Sequence, residues 1–166
     1  MIESHQLVNQ DSGNTEYYTP LEIVESAREV MGWIDLDPFS SETANKRIKA
    51  ALFYDHDGLD RSWYGRMWMN HPFGRVMNAP CINRLIWHYE EAEIEQACCI
   101  TFAATSEKWF RPLLDYPQCF LYPRTNYINP DGSIKKGVTK GSVVTYLGPN
   151  VSVFCEEYSQ HGKVKI

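Results

Sequence analysis

The residues best suited to chemistry follow a short apolar run that ends at Met69. They are an amide, a histidine, a proline and an aromatic ring in succession, Asn70, His71, Pro72 and Phe73. The run is typical of a buried strand in an open α/β sheet, and such sheets bind ligands beyond the carboxyl ends of their strands. There the amide oxygen of Asn70 and the main-chain oxygen of His71 can each accept one N–H of an exocyclic amine, which orients its lone pair.

Phe73 adds a flat apolar face that can stack on a base taken out of a duplex. Taken alone, an Asn-x-Pro-aromatic sequence is more typical of a turn after a strand, with the ring packed on the core. The intrinsic pKa of His71 suits a general base, but its place beside Asn70 favours a main-chain role. The motif by itself leaves the catalytic and the purely structural interpretations open.

A second group stands at the end of another short apolar run, where Asp35 and Asp37 are followed by Pro38 and Phe39. Carboxylates at the carboxyl end of a strand can accept hydrogen bonds from a ribose or from a cationic ligand. The alternative is that they only complement the positive end of the next helix. This motif also leaves both interpretations open.

A third group precedes the first predicted helix. Tyr17 and Tyr18 can line a pocket for an adenine ring or a carboxylate, or they can form a hydrophobic cover on the core. Thr19, Pro20 and Glu22 predict the helix start itself, as N-cap, first helical residue and capping-box partner.

Composition excludes several classes of protein. The 166 residues suit one domain with a full core. No apolar run reaches the roughly 18 to 20 residues of a membrane helix, and the N-terminus lacks a signal pattern. We therefore expect a cytoplasmic protein. The five cysteines contain no Cys-x-x-Cys pair, and residues 55–60 resemble a calcium loop only faintly, so no metal site is predicted.

The formal net charge of −5 argues against a large electrostatic surface for DNA. A local basic face is still compatible with the sequence, because cationic residues surround the first motif and recur later in the chain. They are Arg66, Arg75, Arg84, Arg124, Lys135, Lys136 and Lys140.

Alternating helical and apolar segments predict an α/β protein with a doubly wound, mostly parallel sheet and an antiparallel strand pair at its C-terminal end. We expect a loose tail over residues 1–14 and one domain over residues 15–166. The predicted helices are 20–31, a short one capped by Ser40 or Ser41 that ends near Ile48, 79–94, and one capped by Ser106 that carries Trp109, Phe110, Leu113 and Leu114. The predicted strands are 33–36, 66–69, 97–104, 119–122, 143–147 and 151–155.

The order of the motifs resembles that of one family. Glu-Tyr-Tyr-Thr-Pro at 16–20 precedes a helix, Ile-Asp-Leu-Asp-Pro at 34–38, Asp-Gly-Leu at 57–59 and Met-Trp-Met-Asn-His-Pro-Phe at 67–73. This succession is similar to that of the phage-type, Dam-like DNA N6-adenine methyltransferases over residues 15–150. The order and spacing are far more specific than any single motif.

The resemblance implies a compact Rossmann-like, S-adenosylmethionine-dependent methyltransferase fold and methyl transfer to the exocyclic N6 amine of adenine in DNA. It implies S-adenosylmethionine as cofactor, DNA as partner, and a phage- or prophage-encoded protein that acts in a bacterial host cell. By position, it assigns the catalytic motif to Asn70, His71, Pro72 and Phe73. It assigns the cofactor wall to Tyr18, Thr19, Pro20, Asp35, Asp37, Pro38 and Phe39.

The chain departs from the family pattern in two places. His71 stands where many members have the first proline of an Asn-Pro-Pro-Tyr type motif, and Asp-Pro-Phe-Ser-Ser at 37–41 replaces the usual glycine-rich cofactor loop. Because no separate target-recognition domain is present, residues 74–80 and 123–140 are expected to face DNA. Cytosine N4 methylation, methylation of another planar amine and a non-catalytic nucleic-acid-binding role are the alternatives, and both monomer and homodimer are compatible with the sequence.

Overall fold

The computed structural model describes residues 17–166, so the tail expected over residues 1–14 lies outside the described residues. The helices are α1 (Leu21–Met31), α2 (Glu42–Ile48), α3 (Asn78–Glu90) and α4 (Val151–Tyr158), with short 3₁₀ helices at Gly58–Asp60 and Arg111–Asp115. The strands are β1 (Leu36–Asp37), β2 (Leu52–Phe53), β3 (Gly65–Met69), β4 (Ile94–Phe102), β5 (Gln118–Leu121), β6 (Ser142–Leu147) and β7 (Gly162–Lys165). Within this range no helix is long and apolar enough to cross a membrane.

The strands form one seven-stranded sheet in the order β2-β1-β3-β4-β6-β5-β7. The pairs β1–β2, β1–β3 and β3–β4 are parallel, whereas β6 runs antiparallel to both β4 and β5, and β7 antiparallel to β5. The predicted mixed α/β architecture, parallel first and antiparallel towards the C-terminus, is confirmed. From β1 the chain leads to β2 on one side and then to β3 on the other, so the topology switches between β1 and β3.

The core has two apolar clusters, one on each face of the sheet, because successive strand residues alternate in direction. In β3, Trp68 belongs to one cluster together with Val24 of α1 and Phe154 of α4. Its neighbour Met67 belongs to the other cluster, together with Leu85 of α3. Helices therefore cover both faces, and the ends of the parallel strands are left as the exposed edge where a ligand can bind.

The predicted capping box at the start of α1 is wrong. The helix begins at Leu21, Pro20 is its N-cap residue, and no side chain caps it. The hydroxyl of Thr19 instead accepts a hydrogen bond from the amide nitrogen of Asn70 over 3.2 Å. Thr19 thus contributes to the site at the end of β3 rather than to the helix.

The strand predicted over residues 151–155 is also wrong, because this segment lies within α4. Its apolar residues alternate over a few positions, as in a strand, but Phe154 and Tyr158 are spaced by one helical turn and are both fully buried. The ring of Phe154 stacks on Tyr146 of β6 at 5.3 Å and contacts Tyr158 at 4.8 Å. The antiparallel strands at this end of the sheet are β6, which lies between β4 and β5, and β7, which pairs with β5.

The helix predicted after Ser106 is replaced by turns and the short 3₁₀ helix Arg111–Asp115. Pro112 has no backbone N–H and interrupts an α-helical hydrogen-bond ladder, which accounts for the difference. Phe110 and Leu113 are nevertheless buried, as their apolar character predicts.

Candidate active site

A cavity of about 580 Å³ opens where the parallel strands end. Asp37 lines it at the end of β1, Asn70 directly after β3, and Phe102 at the end of β4. This is the switch point of the sheet, the position at which open α/β sheets bind ligands, and the volume falls in the ordinary range of small-molecule sites.

Asn70 is oriented by the segment that precedes α1. Its amide nitrogen donates to the hydroxyl of Thr19 at 3.2 Å and, more weakly, to the main-chain oxygen of Tyr17 at 3.5 Å. Among residues 17–166 no group donates to its amide oxygen. These contacts determine which end of the amide is engaged, and they leave the oxygen available to accept an N–H from a ligand.

The orienting segment is held in turn by the loop that follows β5. Tyr18 and Ile128 exchange two main-chain hydrogen bonds, of 2.7 and 2.8 Å, in an antiparallel bridge. The ammonium of Lys135 lies 5.0 Å from the ring centroid of Tyr17. Two segments that are distant in sequence, the one before α1 and the one after β5, therefore border the cavity. They are joined through Tyr18.

His71 is buried and serves to fix the loop after β3. Its Nε2 lies 2.8 Å from the amide oxygen of Asn78, which can only accept, so Nε2 carries the proton. Its Nδ1 is buried without a partner among the described residues. Burial lowers the pKa of His71 to about 4, so the ring is neutral at physiological pH. This ring and its hydrogen bond to Asn78, the first residue of α3, hold the loop directly after Asn70 in place.

Phe73 is surrounded by other rings but still lines the cavity. Its ring centroid lies 4.5 Å from that of Phe102, 5.4 Å from that of His71 and 6.5 Å from that of Tyr127. Pro72, between His71 and Phe73, is exposed and also lines the cavity. The predicted catalytic residues are thus brought together at one end of β3.

Asp37 is a buried carboxyl group at the end of β1. It accepts a hydrogen bond from the main-chain nitrogen of Phe39 over 3.1 Å and another from the side chain of Ser40. Removal from water outweighs both bonds and raises its pKa to about 8. No cationic side chain contributes to this shift, so a positively charged ligand is the kind of partner that would favour its ionised form.

The residues after Asp37 form a wall with the loop that follows β2. Pro38 and Phe39 line the cavity, and the ring of Phe39 meets Trp63 edge-on at 5.9 Å. A Cβ atom at Gly58 would lie 2.0 Å from the main-chain oxygen of Pro38, so this close approach requires glycine.

Two residues of the predicted cofactor wall do not line the cavity. Pro20 is the N-cap of α1. Asp35 precedes β1, and its carboxylate accepts from the main-chain nitrogen of Arg66 at 2.8 Å and from the indole nitrogen of Trp33 at 3.0 Å. Asp35 thereby links β1 to β3 and supports the site from behind.

Sequence reasoning missed Arg47, which lines the cavity from α2. Its Nε is buried and has no hydrogen-bond partner among residues 17–166. No motif marks this residue, since one arginine in a polar helix looks like part of a solvated surface.

The edges of the cavity differ in charge. Asp55 and Asp57 line it on the loop after β2, whereas Lys135 and Lys140 line it on the segment that follows the bridge to Tyr18. The acidic residues are those whose sequence faintly resembles a calcium loop. In the described part of the chain, no group of three or more His, Cys, Asp or Glu side chains is arranged to hold a metal ion.

Comparison with protein families gives one match, to the model described as DNA N-6-adenine-methyltransferase (Dam), over residues 8–157. No curated protein and no solved structure matches the chain. The matched region spans nearly all of the described elements and includes every residue of the cavity.

Proposed function

The chain belongs to the DNA N-6-adenine-methyltransferase (Dam) family, and from this premise we propose that it transfers a methyl group from S-adenosylmethionine to the exocyclic N6 amine of adenine in phage or prophage DNA. The observation that carries the proposal is the geometry of Asn70. Its amide lies at the switch point of the sheet, with the nitrogen held by Thr19 and the oxygen left to accept. We propose further that the sheet is a Rossmann-like methyltransferase fold and that the protein acts in the cytoplasm.

The cavity suits the proposed cofactor. Phe39 and Tyr18 offer apolar surface for an adenine ring, and the buried carboxyl group of Asp37 offers an acceptor for a cationic ligand. When bound, S-adenosylmethionine supplies a methyl group already activated by its sulfonium. We assign its site to Tyr18, Thr19, Asp37, Pro38 and Phe39, and leave Pro20 and Asp35 as supports.

Asn70 and the main-chain oxygen of His71 would bind the target amine. Each accepts one N–H, which turns the nitrogen lone pair away from the ring and stabilises positive charge as it develops on nitrogen. The amine can lose a proton after attack, so the first step needs no general base. The neutral, buried ring of His71 is consistent with this division of roles.

The target base would have to leave its duplex to reach Asn70. Phe73 offers a stacking surface beside Asn70, and its packing against Phe102 fixes its orientation. The cations Lys135 and Lys140, on the edge of the cavity, can neutralise phosphates next to an extruded nucleotide. We therefore propose that residues 74–80 and 123–140 face DNA.

The assignment is tested by the variant Asn70→Ala. We expect it to lower incorporation of a tritiated methyl group into DNA by about 100-fold or more, as loss of a group that stabilises developing charge typically does. Identification of the methylated nucleoside after digestion distinguishes N6-methyladenine from N4-methylcytosine.

The matched control is Asn83→Ala, because Asn83 is an exposed amide on α3 outside the cavity. Near-ultraviolet circular dichroism verifies that both variants keep the packed fold. Full incorporation by Asn70→Ala would overturn the catalytic assignment.

A further inference from the structure

Arg47 is a cation inside the cavity that no group of the described chain neutralises. It forms no ion pair or hydrogen bond with any residue in 17–166, and its Nε is excluded from solvent. Burying a guanidinium N–H without a partner is costly. Since the side chain lines a cavity, a ligand oxyanion is the natural partner for it.

Two carboxyl groups that line the cavity with Arg47 have other partners. Asp37, at the end of β1, is bonded to Phe39 and Ser40, and no cation contributes to its electrostatics. Asp55 is engaged with His56 at 2.5 Å. An acidic group of a bound ligand is therefore the remaining partner for Arg47.

The position of Arg47 indicates which ligand this is. It lies on α2, the helix that joins β1 to β2, and Asp37 and Ser40, which also line the cavity, lie just before that helix in the chain. The proposed DNA side carries its own cations, Lys135 and Lys140, on the segment after the bridge to Ile128. Building on the proposed function, we propose that Arg47 anchors the α-carboxylate of the methionine part of S-adenosylmethionine.

The guanidinium provides parallel N–H donors, which match the two oxygens of a carboxylate. This contact lies at the end of the cofactor remote from its adenine ring. It would set the depth of the cofactor in the cavity and therefore the distance of its methyl group from Asn70.

Calorimetry with two ligands tests the proposal directly. S-adenosylmethionine carries the amino acid end, whereas 5′-methylthioadenosine keeps the adenosine and lacks the carboxylate. We expect Arg47→Ala to weaken binding of S-adenosylmethionine by about 10- to 100-fold, as for loss of a charged hydrogen bond, and to change binding of methylthioadenosine by less than about threefold.

Two variants complete the design. Arg47→Gln keeps most of the aliphatic stem and removes the charge, so we expect it to weaken binding of S-adenosylmethionine as Arg47→Ala does. It replaces the alanine variant if that variant fails to fold. Lys46→Ala removes the neighbouring exposed cation, which does not line the cavity, and we expect unchanged binding of both ligands.

Equal weakening of both ligands by the Arg47 variants would overturn the anchor and indicate a structural role. Normal binding of S-adenosylmethionine with weakened binding of a duplex oligonucleotide would overturn it in favour of a phosphate contact. Failure of the wild-type protein to bind either small ligand would instead overturn the proposed function, and with it this inference.

Discussion

Asp37 shows how one residue can couple the site to the stability of the fold. Its carboxyl group is removed from water at the end of β1, and its pKa is raised from 3.8 to about 8. A carboxyl group with a raised pKa stabilises the fold fully below the unfolded value and loses that contribution as pH rises through the folded value. Asp37 therefore opposes folding increasingly between about pH 4 and pH 8.

We predict that Asp37→Asn removes this dependence. Between pH 5 and pH 8 the free energy of unfolding of the wild type, relative to the variant, should fall with rising pH by up to roughly 1.4 kcal/mol per unit. The contribution of His71 to the pH dependence of stability has the opposite sign, because its pKa is lowered to about 4. His71 is present in both proteins, so its contribution cancels in the difference between them. Denaturant titrations at several pH values in this interval measure the difference. If the free energies of unfolding of the two proteins change in parallel with pH, Asp37 is hydrated.

Residues 151–155 show the alternation of a strand but lie in α4, because five residues are too few to separate the periodicity of a strand from that of a helix. Only the burial of Phe154 and Tyr158 on one helical face identifies it. α4 contacts α1, and Tyr158 donates a 2.8 Å hydrogen bond to the main-chain oxygen of Ile23. α4 therefore holds α1 in place, and α1 directly follows the segment that orients Asn70.

Phe154→Ala tests this packing. We expect it to lower the free energy of unfolding by about 3 to 5 kcal/mol, since it removes a fully buried aromatic side chain and leaves a cavity. Val153→Ala, one residue away and partly exposed, should cost far less. Similar losses for the two variants, measured by chemical denaturation, would mean that α4 contributes little to the core.

The sequence predicts three of the four parallel strands, β1, β3 and β4, because their apolar runs are local patterns, whereas β2 has only two residues and is not among the predicted strands. Asn70 and Asp37 come directly after or at the end of apolar runs, where ligands of such sheets bind. Asp35 was included for the same reason, but it precedes β1 and cannot reach that edge. Arg47 was beyond prediction, since only the packing of α2 beside β1 and β2 brings it to the cavity.

The whole molecule has a net charge of −5, but positive and negative side chains are unevenly distributed around the cavity. Lys135 and Lys140 line one edge, and Asp55 and Asp57 line another. A protein with few phosphate contacts should show a shallow salt dependence of DNA binding, because each neutralised phosphate releases about one counterion.

We predict that Lys135→Ala and Lys140→Ala each reduce the slope of log K against log salt by about 1, with little change in sequence preference. Lys163→Ala is the control, since it removes an exposed cation from the edge strand β7. Fluorescence anisotropy with a labelled duplex, repeated over a series of salt concentrations, gives the slopes. Identical slopes for all three variants would show that DNA binds elsewhere.

The insertion of β6 between β4 and β5 has a consequence for how the protein is made. β5 pairs only with β6 and β7, and both follow it in the chain. A nascent polypeptide that ends before Ser142 therefore leaves β5 unsupported and one side of the long β4 ladder open to intermolecular pairing. Assembly of the full sheet beside the cavity must await synthesis of β6 and β7, and the incomplete sheet is the kind of surface that chaperones protect on the ribosome.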